Sequence, residues 1–205
     1  SSDTAHDLKT PLNIAVLNLE LLRMRVRKLT NEEDDPKLLE YAGAIETELR
    51  RMARIFDTFF VLSTPPRGEG EPVDLDIAPI LAEIAEESGY GAVDGGPAMV
   101  AVHESRIRQA FRMFLDGASK VITSEGRRLD VRRDGAQLRI SVSGRADGSD
   151  FEPTRLFKFY YTDPNGNPDV SLAAARLIVE TYGGEVNAEG GESDNVSLQL
   201  RLPTR

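Results

Sequence analysis

The chain has 205 residues, enough for one large domain or two small ones that each bury a core. With 25 Lys and Arg against 34 Asp and Glu, its net charge is −9. That argues against DNA or RNA as a partner, because nucleic-acid binding relies on cationic side chains to neutralise phosphates. The sequence has no cysteine, which excludes disulfides and thiolate metal sites.

No apolar run approaches the roughly 18–20 residues needed to cross a bilayer, and no signal-peptide pattern opens the chain. The expectation for this segment is a cytoplasmic protein without membrane contact, leaving open a membrane sensor upstream. Most of the acidic excess lies after residue 62.

In residues 3–29 the apolar series Leu8, Leu12, Ala15, Leu19, Leu22, Val26, Leu29 alternates steps of four and three, the seam of a helix packed at a shallow angle. Thr30 to Asp35 break it, and Pro36 suits a helical first turn. A second series, Leu38, Tyr41, Ala42, Ile45, Leu49, Met52, Ile55, Phe56, Phe59 and Leu62, completes an antiparallel hairpin. Two helices cover each other's apolar faces poorly, so a four-helix bundle in a homodimer is expected.

Residues 63–72, with three Pro and two Gly, read as a linker. Beyond it the patterns predict a helix at 76–88, a Gly-rich loop at 89–96, a strand at 98–103 and a helix at 104–122. A hairpin over 127–143 turning at Asp134-Gly135 follows, then a helix at 169–182 and strands at 184–189 and 195–202. The expected fold class is α+β: a dimerising helical hairpin (1–62), the linker (63–72) and an α/β sandwich (73–205) with helices on one face of a sheet.

One segment of the first helix carries chemistry. With Leu12 at heptad position a and Leu8 at d, residues His6, Thr10 and Asn13 line one outward stripe. Neutral imidazole is a good nucleophile toward phosphorus near pH 7, and the N–P bond formed is labile enough to pass the phosphoryl group on. Asp7 is placed to hold the ring tautomer or accept its proton. Pro11 removes a backbone bond just past the histidine and should bend the helix there.

The eight residues His6-Asp7-Leu8-Lys9-Thr10-Pro11-Leu12-Asn13 closely resemble the phosphoacceptor box of sensor histidine kinases. The bland alternative is a solvent-exposed histidine on a coiled-coil surface; the whole box in register favours the phosphoacceptor. Ile14, Leu17, Leu21 and Met24 form a second apolar stripe beside it, flanked by Arg23, Arg25, Arg27 and Lys28. They either pack inside the dimeric bundle or, with Asn13, form the patch that in the family receives the receiver domain of a response regulator.

The resemblance runs to the C-terminus but becomes selective. Arg106 to Phe111 and Leu115 to Lys120 look like the kinase asparagine box, yet Met113 and Gly117 stand where the family places the Asn amides that hold Mg²⁺ against the nucleotide phosphates. Gly144 stands for the Asp that bonds adenine, and Ala146 for the first glycine of that box. Leu156-Phe157-Lys158-Phe159-Tyr160 matches the phenylalanine box, and Ile178 to Gly184 match well too. The second glycine box reads Asn167-Pro168-Asp169-Val170-Ser171-Leu172, so Asp169 and Ser171 replace glycines and Asp169 brings a negative charge to the phosphate position.

The resemblance therefore implies a scaffold that keeps its framework and lacks the metal, adenine and phosphate ligands. It would need no metal or cofactor of its own, because phosphotransfer uses Mg²⁺ held by the receiver. A divergent kinase using Asp116 or Asn165 instead stays an alternative. So do a response-regulator phosphatase in which Thr10 orients water, and a non-catalytic adaptor. His103 reads as a surface or helix-start residue.

Overall fold

The computed structural model describes residues 15–24, 26, 36–63, 70–91, 96–147, 152–158, 161, 163–164, 169–190 and 195–205. The chain divides into two compact units, Ser1–Pro65 and Pro66–Arg205.

In the first unit helix α1 covers residues 15–24 and helix α2 runs Pro36–Ser63. Arg23 donates to Glu46 at 2.6 Å, while Arg50 donates to Glu46 at 2.9 Å and also to Glu20. As the α1 partner moves forward from 20 to 23, the α2 partner moves back from 50 to 46, so the helices are antiparallel. The hydrogen bonds from Arg50 and then Arg23 hold the Glu46 carboxyl below its ordinary range. No described side chain of this unit is fully buried, and Leu17, Leu21, Leu22, Met24, Tyr41, Ile45 and Met52 are exposed. Large aliphatic and aromatic groups in that state need a covering surface.

The second unit begins with β1 (Val73–Asp76), paired antiparallel with β2 (Met99–Val102). Between them lies α3 (Ala78–Glu87), with Pro79 in its first turn. The Asp76 carboxylate accepts from the backbone N–H groups of Ala78 (3.1 Å) and Ala98 (2.9 Å), fastening the start of α3 to the approach of β2. Strand β1 is a correction to the sequence reading, which ran from linker to helix there. Four residues of Val-Asp-Leu-Asp give too short an alternation to declare a strand.

Helix α4 (Glu104–Val121) and helix α5 (Ser171–Thr181) pack on each other, α3 packs on α4, and α5 packs on the main sheet. That sheet is antiparallel throughout, in the order β3 (Arg128–Asp134), β4 (Gln137–Arg145), β6 (Asn195–Pro203), β5 (Glu185–Gly190). Gly135 adopts φ +60° in the β3–β4 turn, a left-handed conformation that favours glycine, and this is the Asp134-Gly135 turn the sequence predicts.

Every second residue of β4 and β6 faces the helices, and cross-strand rows such as Leu138–Leu202, Val142–Leu198 and Ile140–Leu200–Val186 are buried. Ile107, Phe111 and Phe114 of α4, with Leu172 and Ile178 of α5, close the core from the other side. The result is the expected α+β class, a helical hairpin and an α/β sandwich with helices on one face.

Candidate functional site

His6, Asp7, Thr10, Asn13 and Ile14 lie outside the described residues. Of the stripe beside them, Leu17, Leu21 and Met24 are each at least half exposed, at 56%, 50% and 53%. Their spacing of four and three puts them on one face of α1. Arg23, expected to flank that face, is paired with Glu46 on α2.

In the second unit Met113 and Gly117 lie on α4, Gly144 on β4, and Asp169 and Ser171 at the start of α5. Gly117 is buried on α4, and a Cβ built on it would lie 2.6 Å from Leu172 Cγ and 3.2 Å from the Leu172 backbone nitrogen. Met113 is half-buried one turn earlier on the same helix. Gly144, on β4, faces the far end of α4: a Cβ there would lie 2.7 Å from Ile122 Cγ2 and 3.2 Å from Arg127 Cα. Neither position has room for any side chain as the neighbours stand.

A charged network lies at the start of α5. Asp169 is only 8% exposed. Its carboxylate accepts from the Ser171 backbone N–H (3.1 Å), the Ser171 hydroxyl (2.7 Å) and the Lys120 ammonium (3.2 Å). Lys120 also donates to Asp116 at 2.6 Å. Asp116 and Lys120, one helical turn apart on α4, are thus joined to a carboxylate at the head of α5. Among the described residues no three His, Asp or Glu side chains converge to hold a metal ion.

A family model matches the first third of the chain, and curated relatives align along nearly all of it. Residues 1–68 fit the model of the His Kinase A (phospho-acceptor) domain. The signal transduction histidine-protein kinase BaeS of Escherichia coli (strain K12) is 25% identical across 98% of this chain and 46% of its own length. The sensor protein CzcS of Cupriavidus metallidurans is 25% identical across 99% and 45%.

The chain is similar to sensor histidine kinases along nearly its whole length, and its first 68 residues match their phospho-acceptor domain. It spans less than half the length of these two curated relatives. Structural likeness agrees on the fold. Full-length ShkA, solved with AMPPNP, superposes with a TM-score of 0.57 at 20% identity, covering 98% of this chain and 45% of that one. The Acinetobacter baumannii histidine kinase AdeS gives 0.56 at 12% identity, with 98% of both chains covered.

Leu172 and Ile122 stand where side chains at Gly117 and Gly144 would begin, and the α5 N-terminal amide of Ser171 is already given to Asp169.

Lys120 and the neighbouring tyrosines also set a pH response. Burial alone would lower the Lys120 ammonium, but the bonds and charges of Asp116 and Asp169 outweigh it and hold the group above its ordinary value. Burial, reinforced by the charges of Asp169 and Asp163, pushes Tyr161 up to about 12. Burial likewise raises Tyr90 to about 12 despite the Arg127 guanidinium 4.6 Å from its ring centre.

All three groups favour the folded state below their unfolded values, near 10 for tyrosine and near 10.5 for lysine, and lose that contribution as pH climbs through the folded ones. Urea midpoints should therefore hold steady at neutral pH and fall between about pH 10 and 12. The fall should be shallower in Lys120→Met and Tyr161→Phe. A midpoint unchanged at pH 11.5 would contradict this.

Proposed function

We propose that this chain is a histidine phosphotransfer protein of a bacterial two-component phosphorelay that makes no effective use of ATP. The reading is supported by the crowding of Gly117 and Gly144 against Leu172 and Ile122 and by the Asp169–Lys120 pair at the start of α5.

His6 is the phosphoacceptor, supported by the sequence box and by the phospho-acceptor family match over residues 1–68. A ring nitrogen of His6 attacks the phosphorus of an aspartyl phosphate on a receiver domain. The N–P bond forms, the acyl-phosphate P–O bond breaks and the aspartate leaves as a carboxylate, with Mg²⁺ held by the receiver. Transfer onward reverses these steps on a second receiver.

Asp7 holds the ring, Thr10 shares its stripe, and Asn13, Ile14, Leu17, Leu21 and Met24 dock the receiver. Residues 1–62 act as the dimerising and phosphotransfer hairpin, 63–72 as linker, and 73–205 as the degenerate ATPase-like unit. Homodimerisation is supported by the hairpin's lack of any fully buried described side chain. No helix among the described residues is long and apolar enough to cross a membrane, and a cytoplasmic place fits the exchange of phosphate with response regulators.

The test is parallel incubation of the chain with radiolabelled ATP–Mg²⁺ and with a labelled phospho-receiver, followed by detection of acid-labile phosphate. Label is expected from the receiver alone. Label from ATP, or saturable ATP binding below about 100 μM, some −5.5 kcal/mol, would establish a divergent autokinase instead.

A further inference from the structure

We propose that His103 and Tyr182 form a tether that pins the chain where it enters the α/β unit and thereby limits the freedom of the connector from the helical hairpin. His103 occupies the N-cap position of α4, with φ −91° and ψ 127°, yet its side chain makes no capping bond to that helix. N-caps are ordinarily Ser, Thr, Asp or Asn, whose short side chains reach the first free amides. Here the ring is turned to other partners. Its Nε2 lies 2.9 Å from the carbonyl oxygen of Gly70.

A carbonyl only accepts, so Nε2 carries the hydrogen and donates. In the neutral ring that leaves Nδ1 as the acceptor, and it lies 2.8 Å from the Tyr182 hydroxyl, which donates to it. The same hydroxyl oxygen accepts from the His103 backbone N–H at 3.4 Å. Tyr182 is the C-cap residue of α5, fixed by its own N–H to Val179 O at 3.0 Å.

One imidazole thus joins three points: the start of α4, the end of α5 and Gly70, three residues before β1. Both helices belong to the buried core, whereas residues 63–72 are rich in Pro and Gly. The bond at Gly70 fastens the chain three residues ahead of β1, so fewer residues of that Pro- and Gly-rich stretch are left outside the α/β unit. Either bond alone is a modest contact; the two in series tie the entry segment to the helix pair rather than to one loop. This inference is independent of whether the protein transfers phosphate.

The absence of native cysteine allows the tether to be read directly. Thr47→Cys on α2 and Glu86→Cys on α3, both exposed, take spin labels. Pulsed dipolar spectroscopy on the full chain, diluted with unlabelled chain, gives the distribution of distances between them. His103→Ala removes both bonds and Tyr182→Phe removes a single oxygen.

In both variants the distance distribution should broaden. Amide exchange over residues 70–76 should rise about tenfold, as for loss of one ordering bond at the edge of a stable unit. Exchange in α4 and β6 and the melting temperature should stay near the parent's. If His103→Ala fails to fold, Tyr182→Phe decides alone. An unchanged distribution and unchanged exchange at 70–76 would overturn the tether. So would exchange rising equally in α4 and β6, which would make the pair an ordinary packing contact.

Discussion

Replacing His6 with glutamine should reduce phosphate uptake from a phospho-receiver to background, while dimer mass and melting temperature stay at the parent's values. Glutamine keeps hydrogen-bonding capacity at the site but has no ring nitrogen able to attack phosphorus. The heptad assignment sets His6 off the apolar seam formed by Leu8 and Leu12, so its loss removes no core packing. Surface changes of that kind stay within about ±0.5 kcal/mol. Thr10→Ala separates two chemistries on the same helix stripe. A transfer protein keeps its transfer rate, whereas a phosphatase that uses Thr10 to orient water loses dephosphorylation and retains some activity in His6→Gln. Undiminished acid-labile label on the His6→Gln protein would place the phosphate on another residue and end the central claim.

Much of the fold was legible because its elements carry strong local signals. The β3–β4 hairpin announced itself by the alternation of Leu129 and Val131, then Leu138, Ile140 and Val142, about a Gly135 turn. Helix α4 showed its buried face through Ile107, Ala110, Phe111, Phe114 and Leu115. Strand β1 was missed because Val73 to Asp76 draw their stability from pairing with residues 99–102, which no local window contains.

Gly117, Gly144, Asp169 and Ser171 were legible in the sequence only as departures from a family resemblance. What surrounds them was not, because the contacts are long-range: Lys120 meets Asp169 across 49 positions, and Gly117 meets Leu172 from another helix. Only the spacing of Asp116 and Lys120, one turn apart on α4, hinted at a polar face there. His103 shows the same limit. Its place at a helix start could be read from sequence, but Tyr182, 79 positions away, could not.

The Leu172 contact gives the second large effect, and Gly117 is the place to measure it. In an open helical site, Gly→Ala stabilises by roughly 0.5–1 kcal/mol, because glycine loses the most backbone entropy in a helix. At Gly117 the new Cβ would stand 2.6 Å from Leu172 Cγ and 3.2 Å from the Leu172 backbone nitrogen, and Leu172 itself is 1% exposed. Rotating the side chain does not clear the backbone atom, so α5 must move. Overpacking of this kind costs about 1–3 kcal/mol.

Overpacking should outweigh propensity, leaving Gly117→Ala destabilised rather than stabilised. Gly117→Asn, which restores the family's metal-binding amide, should fare worse. It gains only a few tenths of a kcal/mol in propensity, adds a polar group to an apolar contact, and should lower the melting temperature by roughly 5–10 °C. Leu172→Ala supplies the cross-check, since in that background the asparagine finds space and costs less, giving a coupling on the order of 1 kcal/mol or more in a double-mutant cycle. Calorimetric melting of the four proteins, with ATP–Mg²⁺ titrated into each, decides the matter. If Gly117→Asn melts at or above the parent and binds the nucleotide, Leu172 does not close the site, and the proposal that this chain makes no use of ATP fails.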